Sequence, residues 1–84
     1  MPDASLLGEV IQMVRDAGKL PPGTHIDAEK RLVDDLGIDS LDLVGVFLSI
    51  QDRYDVVIDD DDVPMLRCVS DLARYVEKNR MRAA

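Results

Sequence analysis

A glycine turn that runs directly into an amphipathic segment constrains the fold more than any other feature of the chain. After the turn at Gly37, Asp39 offers one of the side chains that most often cap a helix N-terminus. Apolar residues then recur every three or four positions, which predicts an amphipathic helix over Ser40–Tyr54. Asp42, three residues after the cap, resembles the second member of a capping box. The sequence therefore places Ser40 at the first position of a helix, pointing out of a loop–helix junction.

A first helix is predicted ahead of this segment, at about residues 4–17. Asp3 or Ser5 can cap it, and the apolar residues that follow recur at helical spacing. Gly18 is a suitable helix end, and the prolines at 21–22 prevent the helix from continuing.

Two more helices are predicted near the C-terminus. Pro64 is tolerated only in a first turn, so the third helix is expected to be short. A fourth helix is predicted from about Val69 to Arg80. Cys68 stands at its cap position, and because a thiol caps poorly, Ser70 is expected to take over that role, with some fraying of the helix start.

The connections differ in length and character. Residues 19–39 form a long loop, in which Asp27 is expected to cap one short turn and the lone His25 to pack in the loop or lie at the surface. Residues 55–58 have no second strand to pair with, so they are predicted to be an extended connection. The acidic run at 59–62 is predicted to be a solvated turn. The expected apolar anchors of the long loop are Ile26, Leu32, Val33, Leu36 and Ile38.

The predicted fold is all-α, a small four-helix bundle of three main helices and one short helix, with a long loop between helices 1 and 2. We expect a single domain over residues 1–84, ordered from about 3 to 80. The residues expected to be buried together are Val10, Val14, Phe47, Ile50, Leu72 and Val76.

The net charge of −7 is unevenly distributed along the chain. Residues 27–62 hold twelve acidic and three basic residues, a net charge of −9, whereas the remainder carries +2. An acidic middle argues against binding to nucleic acid or an anionic membrane and favours basic protein partners. The single Cys68 excludes a disulfide framework within the chain, and with no leader segment evident we expect a cytoplasmic monomer.

The residues around Ser40 carry a family resemblance. Leu32-Val33-Asp34-Asp35-Leu36-Gly37 leads in, and Leu41-Asp42-Leu43-Val44 leads out. This pattern resembles the phosphopantetheine attachment site of acyl carrier proteins, an acidic pair, Leu-Gly, any residue, then Asp-Ser-Leu. The resemblance extends from about Ile26 to Val76 and implies an acyl-carrier-like helical fold.

The resemblance also implies a function. A phosphopantetheinyl transferase would supply Mg²⁺ and a base, and the Ser40 hydroxyl would take phosphopantetheine from coenzyme A. The thiol of that arm would hold acyl groups as thioesters, so the chain would be a carrier and not an enzyme. Asp39 would be the helix cap of the motif. The residues expected to meet acyl-loading and acyl-transfer enzymes with basic docking surfaces are Leu41, Asp42, Leu48, Asp52, Asp34 and Asp35. Of these, Leu41, Asp42 and Leu48 are expected to be largely exposed, because they await transient contact.

The second helix departs from the pattern of bulk fatty-acid carriers. Gly45 and Gln51 stand where those carriers tend to have acidic residues, and Arg53 adds a positive charge. These three departures favour a polyketide-type or dedicated acyl-transfer pathway. Fatty-acid synthesis stays among the expected pathways. Gly45 itself is interpreted either as permitting close approach of a partner or of the third helix, or equally as sequence drift without a structural role. Peptidyl carriers usually have Gly-Gly where Ile38-Asp39 stands, which ranks them lower.

The same residues bear on two other functions, that of an enzyme and that of an adaptor. Ser40 has no histidine or lysine nearby in sequence to act as a base, and no metal-ligand cluster or phosphate-binding loop is evident, which disfavours an enzyme. An unmodified acidic helical adaptor that binds a basic partner is the alternative to a carrier. In that case Asp39 and Ser40 would be no more than a helix start.

Overall fold

A computed structural model describes residues 4–83, with side chains to residue 80. Three α-helices and one 3₁₀ helix follow one another in this part of the chain: α1 at Ala4–Ala17, α2 at Ser40–Tyr54, the 3₁₀ helix at Val63–Met65 and α3 at Val69–Ala83. The predicted all-α bundle of three main helices and one short helix is confirmed. The predicted fourth helix is α3, which ends three residues beyond Arg80. The alternative cap Asp3 lies outside the described residues.

The end of α1 uses two residues in different ways. Lys19 adopts the left-handed conformation, with φ of 57°, and the N–H of Leu20 bonds to the carbonyl of Arg15 at 3.0 Å. This arrangement is typical of a Schellman ending. Gly18 is needed for space, because a Cβ there would lie 2.6 Å from the Val14 carbonyl oxygen and 3.1 Å from Ile38 Cδ1. The glycine thus lets the loop before α2 pack closely against α1.

The long loop is anchored by apolar and polar contacts. Ile26, Leu32 and Ile38 are buried, as predicted. The predicted anchor Val33 is wrong, because it is 53% exposed on the outside of the turn over residues 32–36. The guanidinium of Arg15 donates to the carbonyls of Pro22 at 3.0 Å and Thr24 at 2.9 Å. Arg15 therefore holds the first part of the loop against α1.

The second half of the long loop is joined to the start of α3 by backbone hydrogen bonds. The N–H of Leu32 bonds to the carbonyl of Arg67 at 2.8 Å, and the N–H of Val69 bonds to that of Lys30 at 3.1 Å. The short turn capped by Asp27 is confirmed, since its Oδ1 accepts a hydrogen bond from the N–H of Glu29 at 3.0 Å. These bonds satisfy backbone groups that would otherwise be left unpaired near the core.

The core lies between the three helices and beneath the long loop. α1 packs against both α2 and α3, so the apolar stripes of all three converge on one interior. The six residues predicted to be buried together are all buried. The largest side chains with almost no exposure are Leu32, Ile38, Ile50, Leu72, Val10, Val14, Val46, Val69 and Val76.

The connection after α2 is extended, as predicted. Asp55 ends the helix in the left-handed conformation, with φ of 54°. Val56 and Ile58 then turn inward and are buried, whereas Val57 is 78% exposed. Across residues 4–83 the only β-type pairing is an isolated bridge between Arg31 and Cys68, so this segment joins no sheet. The acidic run that follows forms turns leading into the 3₁₀ helix that contains Pro64.

The start of α3 differs from the prediction for Ser70. The helix begins at Val69, and the carboxylate of Asp71 accepts hydrogen bonds from the N–H groups of Cys68 at 3.2 Å and Arg67 at 3.1 Å. Ser70 does not take over as the cap, because its hydroxyl lies 3.1 Å from the Cys68 sulfur. The first N–H groups of the helix bond instead to loop carbonyls, Val69 to Lys30 at 3.1 Å and Ser70 to Ala28 at 2.9 Å, which compensates for the missing cap oxygen at Cys68.

Candidate functional site

Ser40 is presented by a turn that is anchored on one side and open on the other. Gly37 takes the left-handed conformation, with φ of 70°, which a side chain would disfavour. Ile38 is 2% exposed and fixes the turn to the core. Asp39 is extended, with φ of −77° and ψ of 169°, and α2 begins at the exposed Ser40. A buried residue and an exposed serine thus stand two positions apart.

The cap of α2 is the one predicted from sequence. The carboxylate of Asp39 accepts a hydrogen bond from the N–H of Asp42 at 2.9 Å, and its carbonyl accepts one from Leu43 at 2.9 Å. Within the described part of the chain, no side-chain hydrogen bond involves the Ser40 hydroxyl. This hydroxyl is therefore open to a second molecule, and a phosphate bound to it would lie at the positive end of the helix dipole.

Asp42 is less accessible than expected. Its side chain is 25% exposed and lies 3.7 Å from the Nζ of Lys19, at the end of α1. The expectation that Asp42 is largely exposed is wrong, because its position in the first turn of α2 faces the end of α1. Nearby, a Cβ on Gly45 would meet the Ala17 carbonyl at 3.8 Å. The neighbour of this glycine is thus α1, not the third helix.

The acidic pair before the site is engaged with the chain's own arginine. The guanidinium of Arg31 lies 3.5 Å from the carboxylates of both Asp34 and Asp35. The N–H of Arg31 also donates to Asp35 at 2.8 Å. This backbone hydrogen bond, helped by the charge of Arg31, holds the pKa of Asp35 below its usual value against a smaller opposing effect of desolvation. Both carboxylates remain exposed, but part of their charge is already compensated.

The outer face of α2 is apolar and exposed. Leu41 is 81% exposed and Leu48 is 57% exposed, as predicted, and Val44 between them is 52% exposed. Asp52 continues this face and is exposed, with no ion pair or hydrogen bond of its side chain among residues 4–83. Leu41, Val44, Leu48 and Asp52 are called the outer face below.

Arg53 is directed away from the outer face. Its guanidinium lies 3.6 Å from the carboxylate of Glu9 on α1 and 6.0 Å from the ring of Tyr54. The hydroxyl of Tyr54 donates to the same carboxylate at 2.9 Å. The positive charge that Arg53 adds to α2 is thus used in packing α2 against α1.

An apolar groove of about 430 Å³ begins at Ser40. One wall is α2 and the other is the connection that follows it, including Ile58 and Asp60. Apart from Ser40, Gln51 and Asp60, every side chain along the groove is apolar. The lining residues are Ser40, Leu43, Val44, Phe47, Leu48, Gln51, Ile58, Asp60 and Val63.

Gln51 and Tyr75 were not predicted to belong to the site. The Oε1 of Gln51 accepts a hydrogen bond from the N–H of Ile58 at 2.7 Å, which joins the two walls of the groove. Tyr75 of α3 accepts from the N–H of Asp59 at 3.3 Å and donates to the Asp62 carboxylate at 2.9 Å. Burial raises the pKa of Tyr75, so the hydroxyl keeps its proton and remains a donor. The spacing of Gln51 from Ser40, at three helical turns, is the sequence signal that could have identified it.

Other candidate chemistry is also located by the structure. His25 lies in the long loop, with its Nε2 at 3.2 Å from the Asp27 carboxylate, in agreement with the predicted loop position. Within residues 4–83 no group of three or more His, Cys, Asp or Glu side chains is arranged to hold a metal ion. None of the helices in this part of the chain is long and apolar enough to cross a membrane.

The chain is similar in sequence to a known protein family and to several of its members. Residues 8–76 match the model of the family described as "Phosphopantetheine attachment site". An acyl carrier protein of Rhodococcus erythropolis is 34% identical over 73 residues, which cover 87% of this chain and 79% of the relative. An acyl carrier protein of Bdellovibrio bacteriovorus is 42% identical over 53 residues, which cover 63% of this chain and 68% of the relative.

A relative with a more specific name is longer than this chain. The meromycolate extension acyl carrier protein of Mycobacterium tuberculosis is 34% identical over 73 residues, but the match covers only 63% of that protein. The chain therefore spans less than two thirds of this relative. Acyl carrier proteins in general are not enzymes but carriers that bear phosphopantetheine. They interact with acyl-handling enzymes and with a phosphopantetheinyl transferase. The family match over most of the chain, together with the helical fold and the exposed serine at the start of α2, shows that the chain belongs to the acyl carrier protein family.

Proposed function

We propose that Ser40 is the residue to which phosphopantetheine is attached, and that the chain presents acyl groups to partner enzymes. The observation that carries this proposal is the hydroxyl of Ser40, which is exposed at the N-terminus of α2 within the matched segment and has no hydrogen-bond partner among the described residues. Asp39 holds the helix start through its own hydrogen bond to Asp42, so Ser40 is left free for modification.

The residues around Ser40 suit attachment by another enzyme. The Ser40 oxygen attacks the β-phosphorus of coenzyme A, a new P–O bond forms, and the bond to the adenosine 3′,5′-bisphosphate leaving group breaks. The serine proton passes to a base of the transferase, since no basic side chain among residues 4–80 bonds to Ser40. The N-terminus of α2 stabilises the resulting phosphodiester, while Asp39 and Asp42 oppose it in part. Once attached, the arm supplies a thiol that holds acyl groups as thioesters.

The groove beside Ser40 gives the acyl chain a place within the carrier. It starts at the attachment residue and its walls are mainly aliphatic and aromatic side chains. Burial of an apolar chain there is favourable by about 25 cal/mol per Å² removed from water. We propose that the groove holds the acyl group between encounters, which limits its exposure to water.

The outer face is the proposed docking surface for partner enzymes. Leu41 and Leu48 supply exposed apolar area, and Asp52 supplies for a basic partner a negative charge that has no ion pair among the described residues. Asp42, Asp34 and Asp35 are proposed to contribute long-range attraction, since each already has a basic neighbour in this chain. Their role is thus in steering more than in tight contact. The proposed pathways are fatty-acid, polyketide or dedicated acyl-transfer pathways.

Intact-mass measurement after incubation with coenzyme A, Mg²⁺ and a promiscuous phosphopantetheinyl transferase tests the proposal. The wild-type protein should gain the mass of one phosphopantetheine group, and fragmentation should locate it on Ser40. Ser40→Ala should gain nothing while its helical circular dichroism is unchanged. Ser49→Ala and Ser70→Ala should gain mass as the wild type does. No gain by the wild type would favour an unmodified acidic adaptor instead, and an equal gain by Ser40→Ala would show that Ser40 is not the attachment residue.

A further inference from the structure

We propose that Gln51 is the end stop of the groove: its bond to Ile58 sets the length of acyl chain that the carrier can enclose without a conformational change. This inference rests on the proposed function of Ser40 and concerns the substrate preference of the same site. The structure supports it through the order of residues along α2, through the bond that crosses the groove, and through the way in which the opposite wall is held.

The groove follows α2 from Ser40 to Gln51. The lining residues contributed by this helix recur at three- and four-residue spacing and therefore share one face: Ser40, Leu43, Val44, Phe47, Leu48 and Gln51. The eleven residue steps between the first and the last correspond to about 16 Å at 1.5 Å per residue. Ser40 thus stands at one end of the helical wall, and Gln51 stands at the other.

The bond between Gln51 and Ile58 crosses the groove at that far end. Its two partners come from opposite walls, and the distance of 2.7 Å between Oε1 and N leaves no space between them. Gln51 is half-buried, in a lining that is otherwise mainly apolar. A chain that passes this point has to separate the pair and leaves an amide N–H without its partner, which is costly in an apolar setting.

The wall that carries Ile58 does not move aside easily. The side chain of Ile58 is 8% exposed and packs in the core, and that of Val56, two residues earlier, is 6% exposed. The residues that follow Ile58 are held by Tyr75 of α3. Its hydroxyl accepts a hydrogen bond from the N–H of Asp59 and donates one to the Asp62 carboxylate. A longer acyl chain must therefore break the Gln51 bond against a wall held by α3, whereas a shorter chain ends before reaching the bond.

A series of acyl forms tests this directly. The full chain is loaded from butyryl-, hexanoyl-, octanoyl-, decanoyl- and dodecanoyl-coenzyme A by a promiscuous transferase, and the mass of each product is checked. Hydrogen exchange of the Ile58 amide is then measured by NMR for each form. The arm is the same in every member of the series, so any dependence on length comes from the acyl group.

In the wild type, exchange at Ile58 should stay constant for the short members and rise on the order of fivefold once the chain passes Gln51, as expected for loss of one hydrogen bond. In Gln51→Ala, exchange should already be fast before loading and should show no step. Gln51→Glu keeps an acceptor oxygen, so the step should return. Gln12→Ala, which removes a glutamine from the exposed face of α1, should behave as the wild type.

Tyr75→Phe separates an end stop from general loosening of the connection. It removes the tie to α3 without changing any residue that lines the groove, so exchange should rise at Asp59 while the step at Ile58 stays at the same chain length. The proposal is overturned if wild-type exchange at Ile58 does not depend on chain length, or if Gln51→Ala retains the same step. A wild type that gains no mass would instead overturn the function proposed for Ser40, and the end stop with it.

Discussion

The two faces of α2 are both apolar, yet they have opposite surroundings. On the inner face Val46 and Ile50 have no exposed surface, and Phe47 is 9% exposed. On the outer face Leu41 and Leu48 are more than half exposed. The composition of the helix thus does not reveal which apolar residues hold the fold together. Their position around the helix axis does, because only one side of α2 faces α1, α3 and the long loop.

The outer face has a cost without a folding benefit in the free chain. Exposed leucines at the start of a helix gain nothing from the core, and their contact with water favours association with another molecule. A carrier that must meet several enzymes in turn needs such a surface beside its attachment residue. The inner face is thus buried in the core and holds the fold together, whereas the exposure of the outer face supports the role in transient contact proposed for it above.

The largest expected difference between the faces is in stability. Phe47→Ala should lower the free energy of unfolding by about 3–5 kcal/mol, because it removes a buried aromatic ring and leaves a cavity. Leu48→Ala, one residue further on, should change it by less than about 0.5 kcal/mol. Urea unfolding followed by circular dichroism measures both. Similar losses in the two variants would show that the faces are not divided in this way.

The helix start where the two faces meet should have an intermediate effect. Asp39→Ala removes the acceptor for the N–H of Asp42 and should cost about 1 kcal/mol, whereas Asp39→Asn keeps an acceptor and should cost less. Thermal unfolding of the two variants measures the difference. An unchanged midpoint in Asp39→Ala would mean that the buried Ile38 and the backbone bonds alone fix the helix start.

Asp42, in the first turn of α2 beside the outer face, should affect the kinetics of modification more than stability. Asp42→Lys places a second positive charge beside Lys19 and removes a negative charge from the docking side, so attachment of phosphopantetheine to Ser40 should slow severalfold at low salt. Glu29→Lys makes the same change of net charge in the long loop and should slow it less. The rates are followed by intact mass in 20 mM and 300 mM NaCl. These concentrations lie below and above the one at which the Debye screening length is about 10 Å.

The response to salt is the decisive part of that experiment. The difference between Asp42→Lys and the wild type should narrow at the higher salt concentration, since long-range attraction is screened. A difference that does not depend on salt would place Asp42 in direct contact with the transferase or in the structure of the helix start.

Much of this division could be predicted from sequence, and the failures have physical reasons. Helical periodicity identified the inner face, and the Gly37 turn with the Asp39 cap located Ser40. Periodicity could not show that Val33 points outward or that Asp42 meets Lys19, since both depend on how the long loop folds back. The bond from Gln51 to Ile58 was also missed, because a side chain that accepts from a distant backbone N–H leaves no periodic signal.

The smallest expected effect separates acids that serve the fold from acids that serve partners. The folded-state pKa of Asp35 is lowered by the Arg31 N–H, so ionised Asp35 stabilises the fold above its ordinary pKa of 3.8. That contribution is lost as the pH falls through the lower, folded-state value. In Asp35→Asn the thermal midpoint should therefore fall less between pH 5 and pH 2.5 than it does in the wild type. Asp52→Asn, which removes an exposed acid without a partner among residues 4–83, should follow the wild-type curve. If both variants gave the same curve, Asp35 would be as free as Asp52 for contact with a basic partner, and its bond to Arg31 would have no energetic weight.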